Sequence, residues 1–260
     1  MSDKIKNPPI TLTTDFGLND TYVGQIKGAI LSRAPYARIV DLSHDVPPQD
    51  ILTGAFMLEA VLGVFPRRSV HVCVVDPGVG TERRALAIET EDYFWVGPDN
   101  GVFSLIMQRQ SIRKCVELTN PAYHRVLVSP TFAGRDIFAP VAAHLASGTA
   151  METLGKPVDD LVTLDIPQPT DTAHGTDLHI LRVDRFGNLI TDLTHLVAAA
   201  STLEIAGQTI IGINTTFGDV PPGEPVAYFG STGRLEIAIH NGHAANIFQV
   251  KRGDRIHLKP

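Results

Sequence analysis

The sequence predicts an α/β fold followed by a smaller β domain, on three observations. From residue 9 to about residue 150, apolar runs alternate with helical patterns, as in α/β proteins. Four of these runs end in an acid beside Gly or Pro, and the carboxyl ends of parallel strands face the ligand crevice of such sheets. Beyond residue 170, short alternating runs broken by Gly, Asn and Pro are typical of a small antiparallel barrel or sandwich.

The N-terminal elements follow in order. Predicted strands cover residues 10–14, 37–40, 70–75 and 93–96, and predicted helices cover about 20–32, 50–64, 101–108 and 136–146. The first helix has Val23, Ile26 and Ile30 on one face, and Pro35 closes it. The acids that follow the strands are expected to converge on a polar small molecule; they are Asp15, Asp41, Asp76 and Asp99.

A change in composition predicts the domain boundary. Residues 166–172 are extended and polar and contain two prolines that cannot continue a helix. We therefore predict an N-terminal α/β domain with a central, mainly parallel sheet over residues 1–166, a linker over 167–173 and a small antiparallel β-barrel-like domain over 174–260. The predicted strands of the last domain are 178–181, 203–205, 209–213, 226–229, 235–239 and 255–258.

The composition of the chain argues against several classes of binding partner. The chain has 22 Lys+Arg against 28 Asp+Glu, a formal net charge of −6 and no long basic run, which argues against a nucleic-acid partner. No stretch approaches the roughly 18 apolar residues of a membrane helix, so we expect a cytoplasmic protein with no membrane partner. Cys73 and Cys115 lie in apolar runs and are predicted to be buried thiols. No His or Cys spacing suggests a metal site.

The stretch Asp76-Pro77-Gly78-Val79-Gly80 places a carboxylate where a buried strand ends. It is equally compatible with a tight turn in which Asp76 caps its own backbone. Arg83 favours a functional interpretation, because it can face Asp76 across the turn and help to position a water or an anion. A dinucleotide-binding loop is improbable, since the third glycine is absent and charged residues follow the turn.

Other motifs each allow a structural interpretation. The segment 131–136 precedes an apolar helix, so Thr131 or Asp136 could cap it, or its free N–H groups could face a ligand. Residues 184–188 and 228–233 are each compatible with a turn, and His44 with a core or surface residue.

Together these motifs resemble the S-adenosyl-L-methionine (SAM) hydroxide adenosyltransferases, which are adenosine-forming SAM hydrolases related to the SAM-dependent fluorinases and chlorinases. The resemblance covers nearly the whole chain, in the family's order and spacing. It rests on Thr14-Asp15-Phe16-Gly17, Asp41-Leu42-Ser43-His44, Val75-Asp76-Pro77-Gly78-Val79-Gly80-Thr81, Gly97-Pro98-Asp99-Asn100-Gly101, Thr131-Phe132-Ala133-Gly134-Arg135-Asp136, Phe186-Gly187-Asn188 and Asn241-Gly242.

The resemblance implies a homotrimer whose sites lie between the N-terminal domain of one subunit and the C-terminal domain of its neighbour. It also implies substrate-binding roles. Asp15 would hold both ribose hydroxyls, Phe217 would lie beside adenine, and Asn241 with Gly242 would bind the adenine edge. The remaining implied residues line the site (Asp20, Tyr22), bind the methionine end and ribose (Asp184, Phe186, Asn188) or hold the methionine carboxylate (Ser231, Thr232).

The catalytic residues implied by the resemblance are an Asp-Arg-His triad around the attacking water. Asp76 and Arg83 match its first two members, whereas Ala133 stands where the hydrolases have His. The expected activity is hydrolysis of SAM to adenosine and L-methionine by attack of water on ribose C5′, slowed or lost through Ala133, with SAM as substrate and no cofactor. The alternatives are halide-dependent adenosyl transfer and a SAM- or adenosine-binding protein without turnover.

Overall fold

The computed structural model describes residues 8–260, and the chain divides into two compact units, one up to Leu164 and the other Asp165–Pro260. The first contains a mixed sheet with helices, and the second an antiparallel sheet that is nearly closed into a barrel. The predicted fold class is therefore confirmed.

The first unit is built on a seven-stranded sheet of order β2-β1-β3-β5-β4-β6-β7. Strands β2, β1, β3 and β5 are parallel, and β4, β6 and β7 extend the sheet in antiparallel fashion. The strands are β1 Ile10–Thr14, β2 Ile39–Ser43, β3 Val70–Val74, β4 Ala85–Glu89, β5 Phe94–Pro98, β6 Lys114–Glu117 and β7 Lys156–Pro157.

Two apolar layers cover this sheet. Alternate residues of one segment divide between them: Val72 and Val74 belong to the layer of Ile26 and Phe138, whereas Cys73 belongs to the layer of Trp95. Burial on both faces explains why the parallel strands are continuous apolar runs. The helices are α1 Tyr22–Arg33, α2 Ile51–Glu59, α3 Ser104–Arg109 and α4 Ala139–Ala146.

The predicted helix 136–146 is α-helical only from Ala139, and a π-helical turn, Gly134–Phe138, precedes it. Pro140 has no N–H to donate to the carbonyl of Asp136, and Arg125 N donates to that carbonyl instead, at 2.9 Å. The predicted helix 50–64 is shorter too, because α2 ends at Glu59 and a series of turns follows.

The second unit is an eight-stranded sheet of order β12-β11-β15-β9-β10-β14-β13, with β8 beside β9. Every strand pair is antiparallel, and alternate residues such as Leu178 and Ile180 form its apolar core. Strand β8 lies within the predicted linker, and its extended backbone pairs with β9. The elements are β8 Thr170–Thr172, β9 Gly175–Val183, β10 Leu189–Thr191, β11 Thr202–Ile205, β12 Gln208–Ile211, β13 Pro225–Phe229, β14 Leu235–Ile239, α5 Ala244–Phe248 and β15 Arg255–Lys259.

Both cysteines are buried free thiols, as predicted. Burial raises the pKa of both thiols, that of Cys115 to about 12, so neither is a reactive thiolate at neutral pH. Within residues 8–260, no helix combines the length and the apolar character needed to cross a membrane.

Candidate active site

A cavity of about 410 Å³ opens at the carboxyl edge of the parallel strands in the first unit. It combines acids at the ends of β1 and β3 with the loop that precedes the π-helical turn. Four residues implied by the family resemblance line it: Asp15, Tyr22, Asp76 and Ala133. Its other lining residues are Phe16, Pro48, Gln49, Val74, Pro77, Val79, Thr131, Phe132 and Gly134.

Asp15 lies in the turn directly after β1. Its Oδ2 accepts a hydrogen bond from Gln49 N at 2.8 Å. The turn continues through Gly17, whose φ of +64° is left-handed and whose N–H donates to His44 O at 2.8 Å. A carboxylate has about four acceptor positions, so one backbone contact leaves Asp15 with capacity to bind hydroxyl groups of a ligand.

Asp76 and Arg83 form the contact that their spacing predicts. Arg83 Nε donates to Asp76 Oδ1 and Oδ2 at 2.9 and 3.0 Å, and Nη2 donates to Oδ2. Gly78 makes room for this arrangement, because a Cβ there would lie 3.2 Å from Arg83 Cγ. The Asp76 side chain is only 5% exposed, so the guanidinium holds a largely desolvated carboxylate at the cavity wall.

Three aromatic rings form another wall of the cavity. Phe16, Tyr22 and Phe132 contact one another edge to face, with centroid distances of 5.7, 5.9 and 5.4 Å. Aromatic surfaces of this kind attract cations as well as apolar groups. The Arg135 guanidinium already lies 4.9 Å from the Phe132 ring centroid.

Ala133 is buried and lies between Phe132 and the π-helical turn. Asp136 anchors this segment: its carboxylate accepts hydrogen bonds from Ser129 N at 2.8 Å and from Arg135 Nε at 2.7 Å. Burial alone would raise the pKa of Asp136, but these hydrogen bonds lower it below the usual value. The interpretation of Thr131 or Asp136 as a helix cap is wrong, because Ala133 is the N-cap residue and makes no side-chain hydrogen bond.

The expectation that all four strand-end acids converge is only half correct. Asp41 is exposed and pairs with Lys27, and Asp99 is buried against Arg84; neither lines the cavity. Both acids pair with side chains distant in sequence, which compensates for their charge within the fold. Asp20 is exposed in the turn before α1 and also lies outside the cavity lining.

The second unit contains a separate cavity of about 640 Å³ at one end of β14. The turn between β9 and β10 forms part of it, as the hairpin interpretation predicts. Asp184 Oδ1 accepts from Asn188 N at 2.8 Å and Asp184 Oδ2 accepts from Asn188 Nδ2 at 2.9 Å. The lining residues are Phe186, Asn188, Phe217, Ile239, His240, Asn241, Gly242 and His243.

Most residues that the resemblance implies in this unit therefore lie together, with Asp184 holding Asn188. Ser231 and Thr232 do not line the cavity, since they occupy the turn between β13 and β14 at the other end of the strand. Phe217 packs against Tyr228 with a centroid distance of 4.8 Å and remains 38% exposed. Its ring is therefore accessible to a ligand.

Sequence reasoning missed several lining residues. In the first cavity these include Gln49, which reaches Asp15 through its backbone N–H and so leaves no side-chain signal. In the second they include Ile239, His240 and His243. His243 caps α5 by accepting from Asn246 N at 3.2 Å, so a search for capping residues before that short helix could have identified it.

Comparisons with known proteins identify the family of the chain. Family models of the SAM hydroxide adenosyltransferase N-terminal and C-terminal domains match residues 10–155 and 178–257. The chain is 40% identical to an (R)-S-adenosyl-L-methionine hydrolase of Salinispora tropica, over 96% of this chain and 97% of the relative. It is 27% identical to a fluorinase of Actinoplanes sp., over 95% and 96% of the two chains.

A crystal structure of an uncharacterized conserved protein from Thermotoga maritima is similar throughout. Its TM-score is 0.90 at 32% identity, covering 96% of this chain and all of the other. The family assignment made from the sequence motifs is thus confirmed over both units. The chain belongs to the SAM hydroxide adenosyltransferase family.

Proposed function

We propose that this chain hydrolyses SAM to adenosine and L-methionine by attack of water on ribose C5′. Family membership and the 40% identity to a protein named as a SAM hydrolase support the reaction. The observation that carries the proposal is the buried ion pair of Asp76 and Arg83, at the wall of a cavity that also contains Asp15.

Asp15 is proposed to bind the two ribose hydroxyls of SAM. Its carboxylate has the acceptor capacity for both, and Gln49 N, in the loop before α2, orients it. The aromatic wall of Phe16, Tyr22 and Phe132 suits the cationic sulfonium, to which ring faces are attractive. Asp20, which is outside the cavity lining, has no role in this proposal.

Asp76 is proposed to orient the attacking water and accept its proton, while Arg83 fixes the carboxylate. Methionine leaves as a neutral thioether, so the leaving group needs no proton. The enzyme has to align and partly deprotonate one desolvated water, which is the work of positioning and general base catalysis. No cofactor enters this proposal, because the positive sulfonium already makes the C5′–S bond reactive.

Ala133 is proposed to make this hydrolase slow. It lines the same cavity as Asp76, and its methyl group can neither accept nor donate a proton where the family's hydrolases carry an imidazole. Water activation then depends on Asp76 alone. The same feature favours the two alternatives, adenosyl transfer to halide and binding without turnover.

The second cavity is proposed to bind the rest of SAM from a neighbouring copy of the chain in a homotrimer. Phe217 would stack on adenine, and Asn241 with Gly242 would hydrogen-bond its edge. The methionine end and ribose would contact Asp184, Phe186 and Asn188, and the methionine carboxylate would extend beyond this cavity to Ser231 and Thr232, in the turn between β13 and β14. The clustering of five of these residues around one cavity supports this part of the proposal.

Product analysis tests the function. The chain is incubated with SAM in fluoride- and chloride-containing buffers and in halide-free buffer, and products are separated by liquid chromatography. Hydrolysis predicts adenosine and L-methionine at a rate independent of halide. A 5′-halo-5′-deoxyadenosine would establish adenosyl transfer instead, and intact SAM bound after a long incubation would establish binding without turnover.

Two variants connect the products to the site. Asp76→Asn keeps the size of the side chain but removes its basicity, and we expect at least a hundredfold slower adenosine formation. Asp159→Asn, at an exposed position, is the control for a lost carboxylate. Equal rates for Asp76→Asn and the unaltered chain would refute the catalytic role of Asp76.

A further inference from the structure

We propose that His44 is a positioning residue, which holds the Asp15 carboxylate in place for ribose binding through Thr14 and Gly17. The inference rests on the proposed function of Asp15. It gives a role to the Asp41-Leu42-Ser43-His44 motif, none of whose residues lines the cavity.

His44 contacts the chain on both sides of Asp15. Its Nδ1 lies 2.9 Å from Thr14 Oγ1, and its carbonyl accepts from Gly17 N at 2.8 Å. Thr14 Oγ1 also accepts from Phe16 N at 3.4 Å. Thr14 and His44 are both buried, so these contacts have little competition from water. The backbone around Asp15 is therefore held from the neighbouring strand end.

The position of Asp41 favours one tautomer of His44. His44 Nε2 lies 3.1 Å from Asp41 Oδ1, off the line of a directed hydrogen bond, and the carboxylate favours a proton on that nitrogen. Nδ1 then accepts from the Thr14 hydroxyl, which leaves the Thr14 oxygen free to accept from Phe16 N. Lys27 Nζ holds the other oxygen of Asp41 at 2.6 Å.

The chain contains a matched pair that does not reach the cavity. Thr11, on the same strand β1, bonds through Oγ1 to His71 Nδ1 at 2.8 Å, and both residues are buried. His71 stacks on Trp95 at 4.6 Å within the core. Loss of the Thr11 hydroxyl should therefore reduce folding stability as much as loss of the Thr14 hydroxyl, without moving Asp15.

The experiment measures how strongly the protein prefers adenosine over 2′,3′-dideoxyadenosine, which lacks both ribose hydroxyls. Calorimetry gives the two dissociation constants for the unaltered chain and for Thr14→Val, His44→Leu, His44→Asn, Thr11→Val and Asp15→Ala. We expect Thr14→Val and His44→Leu each to reduce the preference about tenfold, the size of one hydrogen bond. Their double variant should lose no more than either alone, because both act through one contact.

The controls separate positioning from general stability. Thr11→Val should lower the urea midpoint of unfolding yet keep the full preference. His44→Asn should retain most of it, because its amide can still bond Thr14 from the position of Nδ1. If His44→Leu does not fold, Thr14→Val against Thr11→Val decides the question.

Two outcomes overturn the inference in distinguishable ways. If Asp15→Ala loses the preference while Thr14→Val and His44→Leu keep it, Asp15 binds ribose but His44 does not position it. If Asp15→Ala keeps the preference of the unaltered chain, the ribose assignment in the proposed function is itself wrong, and the role of His44 falls with it.

Discussion

The two cavities of this chain differ in the groups that they present. The cavity of the first unit has carboxylates at strand ends, one of them bound by an arginine, together with the short loop around Ala133. The cavity of the second unit has aromatic, amide and imidazole side chains on turns. The first cavity thus presents carboxylates that only accept hydrogen bonds when ionised, whereas the second presents ring faces and side chains that include hydrogen-bond donors.

The first prediction concerns Asp15, a carboxylate of the first cavity for which we propose a role in ligand recognition and not in proton transfer. Asp15→Ala leaves two ribose hydroxyls unpaired, at about 1–3 kcal/mol each, so adenosine affinity should fall roughly a thousandfold. Calorimetric titration measures it. Asp20→Ala is the matched control, and it should change affinity less than twofold. Near-normal adenosine affinity of Asp15→Ala would show that Asp15 does not bind the ribose.

The second prediction sharpens the catalytic side of the comparison. Ala133→His should restore the missing imidazole and raise the rate of adenosine formation at saturating SAM by roughly 10²–10⁴-fold, the usual contribution of a general acid–base group. The dissociation constant of SAM should change little. Single-turnover kinetics would measure this rate, with Ala133→Gln as a control for the added side-chain volume. A histidine variant no faster than the unaltered chain would mean that Asp76 and Arg83 suffice or serve another reaction.

The third prediction concerns recognition in the second unit. Phe217→Ala removes the proposed stacking surface for adenine, and we expect SAM to bind about ten- to a hundredfold more weakly, at 1–3 kcal/mol per stacked base. The maximal rate should be nearly unchanged. Phe217→Leu keeps apolar bulk without a ring, so its SAM affinity should lie between those of the unaltered chain and Phe217→Ala. A lower maximal rate at constant affinity would contradict the separation of roles.

The smallest effect is on stability away from both cavities. Burial lowers the pKa of His71 to about 3 from its ordinary 6.5, so below pH 6.5 the unfolded chain binds a proton that the folded chain does not. Folding stability from this group therefore falls as pH decreases, by about 2 kcal/mol between pH 7.5 and 5.

Urea unfolding at pH 7.5 and 5.0 measures this loss. His71→Asn cannot titrate, so its stability should fall by about 2 kcal/mol less over the same interval, with every other titrating group common to both proteins. An identical fall for the two proteins would mean that His71 becomes protonated in the folded state.

The outcome for Asp15 and Asp99 shows how far sequence reasoning reaches. Both follow apolar strands, and that local pattern correctly placed them at the ends of parallel strands. It could not separate their roles, since the Arg84 side chain, directly before β4, binds Asp99, whereas a backbone N–H binds Asp15. Such pairings depend on which segments the tertiary structure brings together, and they leave no periodic pattern in the sequence.

The second unit was predictable for a related reason. Alternation placed β14 and β15 within one residue of their observed ends, because every second residue of each strand belongs to the same apolar core: Leu235, Ile237 and Ile239 in β14, and Ile256 and Leu258 in β15. The short helix α5 was missed, since five residues are too few to display a helical period. Family motifs grouped Asn188 and Asn241, although the turns that bring them together lie far apart in sequence.

The contact between Asp76 and Arg83 also has a topological consequence. The chain leaves β3, passes the end of β5 and enters β4, and these two residues lie at the base of that crossing. Their ion pair joins the two ends of the loop as a clasp. Thr81 and Glu82, within the loop, are exposed. Even doubling the length of such a loop costs only about 0.6 kcal/mol of closure entropy. Extra residues inserted at its tip could thus form a new lid over the cavity, while the clasp keeps the carboxylate in position.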